Sequence, residues 1–133
     1  ADGRYFTLAY GTVVDAELNI YLSAADAIRK FSPQGDILWE FRTLPSRLMD
    51  APALHDGGVY FSTTAGVVVA LNAVTGRVSW VHKVARETSE DNGFATVHDG
   101  VVVTGTDSVR LAWSKQVVAL SAANGDFMWA YKP

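Results

Sequence analysis

The stretch Ala70–Trp80, ALNAVTGRVSW, decides the fold because the chain repeats its pattern twice more. It reads as the end of one strand, a glycine turn and a second strand that carries the Trp. Weaker copies are KFSPQGDILW at Lys30–Trp39 and ALSAANGDFMW at Ala119–Trp129. Every copy places a Gly shortly before the Trp, and the pairs are Gly35 with Trp39, Gly76 with Trp80 and Gly125 with Trp129.

A further strand precedes each copy, and short apolar segments lie upstream of it. The preceding strands are NIYLS (19–23), GVYFST (58–63) and GVVVTG (100–105), and the same tripeptide, HDG, introduces the last two. Val, Ile, Tyr, Phe, Trp and Thr dominate these runs, while Gly, Asp, Asn or Pro lies between them. A four-stranded unit that recurs every 40–50 residues or so is typical of a blade of a β-propeller.

The sequence therefore predicts an all-β fold of about three four-stranded antiparallel blades, which form one partial propeller domain over 1–133. The first blade spans 11–41, the second 51–83 and the third 93–131. The third is longer because of an insertion at 105–115, which we expect to be a loop between its second and third strands. Residues 4–10 are expected to form one strand of a preceding blade.

The repeated Gly and Trp predict a structural role. A tight turn between strands often needs a positive φ, which Gly adopts without penalty. Neighbouring blades need a large flat side chain to fill the space between their sheets, and a Trp on the last strand supplies one. We expect Gly35, Gly76, Gly125, Trp39, Trp80 and Trp129 to dock one blade on the next.

At these residues the chain resembles the quinoprotein-type repeat, also called the PQQ-like or tryptophan-docking repeat, whose motif is Ala-x-Asp-x-x-Thr-Gly-x-x-x-Trp. The second unit matches it best, with Asn72 in the Asp place. The third unit has Ser121 and Asn124 in the Asp and Thr places, and the first is one residue shorter. The first unit also has Lys30 in the Ala place and Ser32 in the Asp place.

The resemblance implies a propeller, but it covers two kinds of function. One is dehydrogenases that hold pyrroloquinoline quinone and calcium in an eight-bladed propeller. The other is non-enzymatic propellers that bind proteins through loops, of which the outer-membrane assembly lipoprotein BamB is an example. The dehydrogenases carry a vicinal disulfide against the cofactor, and this chain has no Cys. We also find no cluster of Asp, Asn and Glu spaced to supply the six to eight oxygens that calcium needs.

Composition excludes several other classes. The chain has 133 residues, 49% hydrophobic and 19% charged, with a net charge of −3, which is typical of a globular domain. Its few Lys and Arg are scattered, so a nucleic-acid footprint is not expected. No apolar run approaches the roughly 20 residues of a membrane-spanning helix, and no signal peptide is visible.

The two HDG triplets, His55–Gly57 and His98–Gly100, superficially resemble a metal pair or an acid–base dyad. Each lies where a first strand turns into a second, and Asp-Gly favours turns for conformational reasons. We interpret both as turns. Neither a phosphate-binding glycine loop nor a nucleophile elbow is present, so no catalytic, cofactor-binding or metal-binding residue is predicted.

The connections between blades and the loops between second and third strands should emerge on one side of a propeller. Two of these segments mix Arg with apolar side chains, which are enriched at protein interfaces. Candidate partner-binding residues are Arg47, Leu48, Met49, Arg110, Leu111 and Trp113. Trp113 lies outside the docking repeat and either contacts a partner or covers the blade edge beneath its own loop.

Three blades do not close a propeller, and open sheet edges invite association. The chain is therefore expected to be part of a longer propeller, to associate with itself, or to dock beside other subunits. The favoured function is a non-catalytic, protein-binding scaffold without a cofactor. The alternative is a segment of a PQQ-dependent dehydrogenase with calcium. An extracytoplasmic location is favoured by the family resemblance alone.

Overall fold

The computed structural model describes residues 11–48, 50–85, 94–108 and 111–132, and these ranges contain strands and turns but no helix. Twelve strands form three four-stranded antiparallel sheets in chain order. The first sheet holds β1 (Thr12–Val14), β2 (Ile20–Ser23), β3 (Ala27–Phe31) and β4 (Ile37–Arg42). The second holds β5 (Ala53–His55), β6 (Gly58–Ser62), β7 (Val67–Asn72) and β8 (Val78–Lys83). The third holds β9 (Ala95–His98), β10 (Val101–Ser108), β11 (Leu111–Ser121) and β12 (Phe127–Tyr131).

The middle sheet is buried on both faces because successive side chains of a strand point to opposite sides. Val59 and Phe61 of β6 join one apolar core with the first sheet, whereas Tyr60 joins a second core with the third sheet. Strand β7 divides in the same way, with Val69 facing the first sheet and Val68 the third. The unbroken apolar runs GVYF and GVVVAL therefore reflect a sheet between two neighbours, as in a propeller blade.

The two HDG segments form two-residue hairpin turns. Asp56 and Gly57 have φ angles of 44° and 74°, and Asp99 and Gly100 have 46° and 75°. Two consecutive residues with positive φ define the turn type that matches the twist of an antiparallel hairpin. The backbone N–H groups of Ala73 and Ala122 donate to the Gly57 and Gly100 carbonyls at 2.8 Å. In the second and third sheets, these bonds connect the first turn of the sheet to its last turn.

The first sheet uses a longer turn between β1 and β2. The Asp15 carboxylate accepts the backbone N–H groups of Glu17 and Asn19 at 3.0 and 2.9 Å, and the Tyr21 hydroxyl at 2.9 Å. Asp15 thus organises a loop where the other two sheets have a tight turn.

The described residues of the predicted insertion, 105–108 and 111–115, lie in strands rather than in a loop. Strands β10 and β11 continue through it, pairing Gly105 with Val117, Thr106 with Gln116 and Ser108 with Leu111, with a register shift after Thr106. The extra residues on either side of 109–110 thus lengthen the pairing between β10 and β11. The expected strand at 4–10 lies outside the described residues.

Candidate binding faces

The first sheet docks on the second through a Trp and a Gly. The indole N–H of Trp39 donates to the Ala73 carbonyl at 3.0 Å, across the boundary between the first two sheets. A Cβ built on Gly76 would lie 2.6 Å from Cδ2 of Trp39, so the ring lies directly against this glycine. Gly76 also has a φ of 73°. Both the turn and the neighbouring ring therefore require the absence of a side chain.

The same arrangement joins the second and third sheets. The Trp80 indole N–H donates to the Ala122 carbonyl at 2.9 Å, and a Cβ on Gly125 would lie 2.5 Å from Cε3 of Trp80. Trp80 is 9% exposed. Trp39 with Gly76 and Trp80 with Gly125 thus lie at the two boundaries between sheets, whereas a Cβ on Gly35 meets nothing within 4 Å and Trp129 is exposed. The docking role of the six residues stays a prediction.

Tyrosines support both docked rings. Tyr21 lies edge-on to Trp39 with ring centroids 6.1 Å apart, and Tyr60 lies 6.0 Å from Trp80. The Tyr60 hydroxyl donates to the Ala122 carbonyl at 3.2 Å. The same carbonyl oxygen also accepts the hydrogen bond from the Trp80 indole. Burial raises the pKa of the Tyr60 phenol above its ordinary value, because the charged phenolate would lose its hydration.

Lys30, which replaces the motif Ala, makes the corresponding contact at the first boundary. Its Nζ donates to the Ala73 carbonyl at 2.8 Å and lies 5.2 Å from the centroid of the Tyr21 ring. Only 7% of Lys30 is exposed. A buried ammonium is tolerated here because a carbonyl and an aromatic face both stabilise its charge. Sequence reasoning recorded Lys30 only as a departure from the motif and missed this bridging role.

The turn end of the first boundary contains a cleft of about 790 Å³. We call it the turn-end cleft; it lies between the β1–β2 and β5–β6 turns, and Asp15, Tyr21, Lys30 and His55 contribute to its wall. Burial raises the pKa of the Asp15 carboxyl, but donors from Tyr21, Asn19 and Glu17 outweigh this and hold the pKa below its ordinary value. Burial and the Asp15 carboxylate both raise the pKa of Tyr21. The cleft thus combines a fixed carboxylate with a buried ammonium.

The opposite end of the sheets, the loop end, contains the link between the first two sheets, the β2–β3 and β6–β7 connections, and the adjoining ends of β10 and β11. The antiparallel order places them together. Arg47 is held there through its backbone, whose N–H donates to the Thr64 hydroxyl at 2.9 Å and whose carbonyl accepts the Thr64 N–H at 3.0 Å. Arg47 is exposed, as the candidate partner-binding surface requires.

Leu48 does not belong to the candidate partner-binding surface. Its side chain is 2% exposed and belongs to the core between the first two sheets, with Ile28 and Phe61. Its backbone forms a bridge with Thr63, which turns the side chain inward. The prediction that Leu48 meets a partner is therefore wrong, because the link between sheets itself seals the core.

The other candidates are only partly placed. Met49 and Arg110 lie outside the described residues. Leu111 and Trp113 lie in β11, on the lengthened hairpin at the loop end, and their side chains are also outside the described part. Arg47 and the hairpin thus share an end of the molecule but lie on different sheets.

A charged cluster that sequence reasoning did not single out lies at the loop end of the first sheet. Arg29 donates to Asp26 at 3.0 and 3.3 Å and to Glu40 at 2.6 Å, and Arg42 pairs with Glu40 at 2.8 Å. The hydrogen bonds from Arg29 lower the pKa of the Asp26 carboxyl and, in turn, Asp26 raises that of Arg29. Because Arg29 faces Glu40 across adjacent strands, only the strand register reveals the cluster.

The resemblance to quinone dehydrogenases raises the question of a metal-binding group in the described residues. Within 11–48, 50–85, 94–108 and 111–132, no three His, Asp or Glu side chains come together in a metal-binding group. The His55 and Asp56 side chains approach to 3.2 Å, but they lie at the hairpin turn already described. We derive no chemical step through a cofactor.

Three sheets follow one another in chain order, and the first two each dock through a Trp on the sheet that follows. This arrangement defines the chain as a run of quinoprotein-like β-propeller blades. The family model described as "Outer membrane protein assembly factor BamB" matches residues 8–132. The chain belongs to this family. A curated relative, the outer membrane protein assembly factor BamB of Xanthomonas campestris pv. campestris, is 35% identical over 88 residues, which is 61% of this chain. The match covers 20% of that relative, so the chain spans about a fifth of its length.

Solved structures show the same fold at low sequence identity. The quinohemoprotein alcohol dehydrogenase from Comamonas testosteroni superimposes with a TM-score of 0.80 at 19% identity, over 95% of this chain and 21% of that one. BamB from Moraxella catarrhalis superimposes with a TM-score of 0.74 at 16% identity, over 98% of this chain and 37% of that one. The all-β propeller prediction is therefore confirmed. In the described residues, no helix has the length and apolarity needed to cross a membrane.

Proposed function

We propose that this chain belongs to a non-catalytic propeller that binds other proteins as a scaffold during outer-membrane protein assembly, outside the cytoplasm. The observation that carries the proposal is family membership, because the matching model and the curated relative are both assembly factors. Fold alone does not carry it, since enzymes share the fold.

The loop end supplies a surface suited to this function. Arg47 is exposed on a link whose backbone is fixed by Thr64 and whose neighbour, Leu48, anchors the link in the core. An Arg on such a rigid support loses little conformational freedom on binding. The lengthened β10–β11 hairpin adds Leu111 and Trp113 at the same end, and Trp and Arg are the types most enriched at energetically important interface positions.

The test uses the natural full-length polypeptide, since this chain spans a fifth of its relative. We expect Arg47→Glu and Trp113→Ala to weaken its co-purification with outer-membrane assembly proteins about 30-fold or more, which is the effect of losing an important interface residue. The melting temperature should stay within about 2 °C of the parent.

Val74→Glu is the matched control, because Val74 is exposed at the turn end. It should leave the complex intact. If Val74→Glu weakened co-purification as much as the loop-end variants do, the loop end would not be the binding surface. The same conclusion would follow if the loss of co-purification in the loop-end variants matched their loss of thermal stability.

A second candidate is a segment of a PQQ-dependent dehydrogenase that oxidises alcohols or sugars. The superposition on the quinohemoprotein alcohol dehydrogenase favours it. The lack of Cys in the chain and the lack of a metal-binding group in the described residues weigh against it. The two candidates differ in a direct measurement, which is quinone binding by the natural protein.

A further inference from the structure

Lys30 places a buried cation without a counter-charge in the wall of the turn-end cleft. Only 7% of the residue is exposed, and its ammonium donates one hydrogen bond, to the Ala73 carbonyl at 2.8 Å. In the part of the chain that the structure describes, no carboxylate lies within ion-pair distance of this ammonium. An ammonium has three N–H donors, and buried charges are normally paired. Lys30 therefore has donors left for an anionic ligand.

Docking of one sheet on the next does not require this lysine. Strand register places Lys30 opposite Trp39 in the first sheet and Ala70 opposite Trp80 in the second. At the second boundary the Trp80 indole still donates to a backbone carbonyl of the next sheet. The corresponding cleft there has about 350 Å³, against about 790 Å³ at the first boundary. The ammonium and the larger cleft are thus additions to the repeated contact.

The carboxylates around the cleft do not supply the missing counter-charge. Asp15 already accepts four hydrogen bonds, three from its own turn and one from the Tyr21 hydroxyl. Glu17 and Asp56 also line the cleft, but both are exposed. Water and salt screen such exposed charges, so they oppose an anion at Lys30 only weakly.

Another part of the cleft wall is apolar. Val14, Leu54 and Val74 line it, and Val14 and Val74 are 52% and 79% exposed. All of the lining residues belong to the first two sheets or their turns, and a volume of about 790 Å³ is typical of a small-molecule site. We propose that the turn-end cleft binds a small organic acid, whose carboxylate accepts the remaining N–H groups of Lys30 and whose hydrocarbon part covers this apolar wall.

The test is the binding of hexanoate to the natural full-length protein, measured by isothermal titration calorimetry. Hexanamide, which has nearly the same shape but no charge, is the matched ligand. We expect a dissociation constant of about 1 mM or below for hexanoate, in line with its small size. Hexanamide should bind about 10-fold or more weakly, because it replaces a charged hydrogen bond to Lys30 with a neutral one. This comparison of ligands does not depend on how any variant folds.

Lys30→Met tests the residue, because it removes the ammonium and keeps a side chain of similar length. Lys83→Met is the matched control, since Lys83 is exposed on β8 of the second sheet. Lys30→Met should weaken hexanoate binding about 10-fold or more, whereas Lys83→Met should leave it unchanged.

Three results would overturn the proposal. The first is a wild-type protein that binds no hexanoate at about 10 mM, ten times the expected dissociation constant. The second is hexanamide binding as tight as that of hexanoate. The third is equal hexanoate binding by Lys30→Met and Lys83→Met. The scaffold function is tested separately, by co-purification of variants at the loop end, so either proposal can fail while the other stands.

Discussion

Gly76 and Gly125 are each required for two reasons, the backbone conformation of the turn and the close approach of a Trp ring. Each has a positive φ, and each lies against the indole of the preceding sheet. The motif retains Gly at this place in all three sheets, although the first sheet has an open space there. The turn alone therefore accounts for Gly35, whereas the turn and the ring together account for Gly76 and Gly125.

Gly76→Ala and Gly57→Ala separate the two constraints, because both residues have φ near 74° but only Gly76 faces a ring. Both variants should lose about 1–2 kcal/mol from the left-handed conformation. Gly76→Ala should lose a further 1–3 kcal/mol or so, since Trp39 must shift. Urea unfolding measures both values. Equal losses would contradict docking of Trp39 on this turn.

The links between sheets are structural elements in their own right. The segment after β4 donates from Thr43 to the Asp26 carbonyl at 2.9 Å and then bridges the second sheet at Thr63. Sequence patterns predicted the strands, because alternating apolar residues and Asp-Gly turns are local signals. They did not predict that Leu48 is buried, because the burial depends on two sheets meeting. The lengthened hairpin was missed because Gly105 and Asp107 favour turns locally.

Leu48→Ala should reduce the free energy of unfolding by about 2–5 kcal/mol, as expected for truncation of a buried Leu. Leu44→Ala is the matched control in the same link, since Leu44 is 59% exposed, and it should change stability by less than about 0.5 kcal/mol. Denaturant titration of both variants provides the comparison. If both variants proved neutral, Leu48 would not belong to the core and could return to the binding surface.

The Asp26–Arg29–Glu40 cluster predicts an acid sensitivity in the first sheet. The folded-state pKa of Asp26 lies below its ordinary value of 3.8 because Arg29 donates to the carboxylate. The carboxylate therefore contributes stability above about pH 4, and this contribution is lost as the pH falls through the folded-state pKa. The Asp26→Asn variant lacks this stabilising contribution at every pH, because its side chain has no carboxylate.

The difference in unfolding free energy between the wild type and Asp26→Asn should be largest near neutral pH and shrink toward pH 2. Urea unfolding at several pH values measures it. Asp126→Asn, at an exposed turn, is the control and should show no comparable trend. A difference that stays constant with pH would mean that the ionised carboxylate does not provide the stabilisation.

At the scale of the whole molecule, the repeat predicted the number, order and stacking of the sheets, because it encodes contacts between neighbours. The sequence predicted the candidate binding faces less well than the stacking of the sheets. Arg47 was identified by residue type, but the turn-end cleft and the Lys30 bridge follow from how the first two sheets meet.

The central claim is that these blades serve a protein-binding scaffold rather than a quinone enzyme. Its most direct test is the absorption spectrum of the natural full-length protein after incubation with pyrroloquinoline quinone and Ca²⁺ and removal of unbound quinone. We predict no retained quinone absorbance and no dye reduction with alcohols or sugars. Retained, red-shifted quinone absorbance together with calcium-dependent dye reduction would contradict the scaffold function and establish the dehydrogenase.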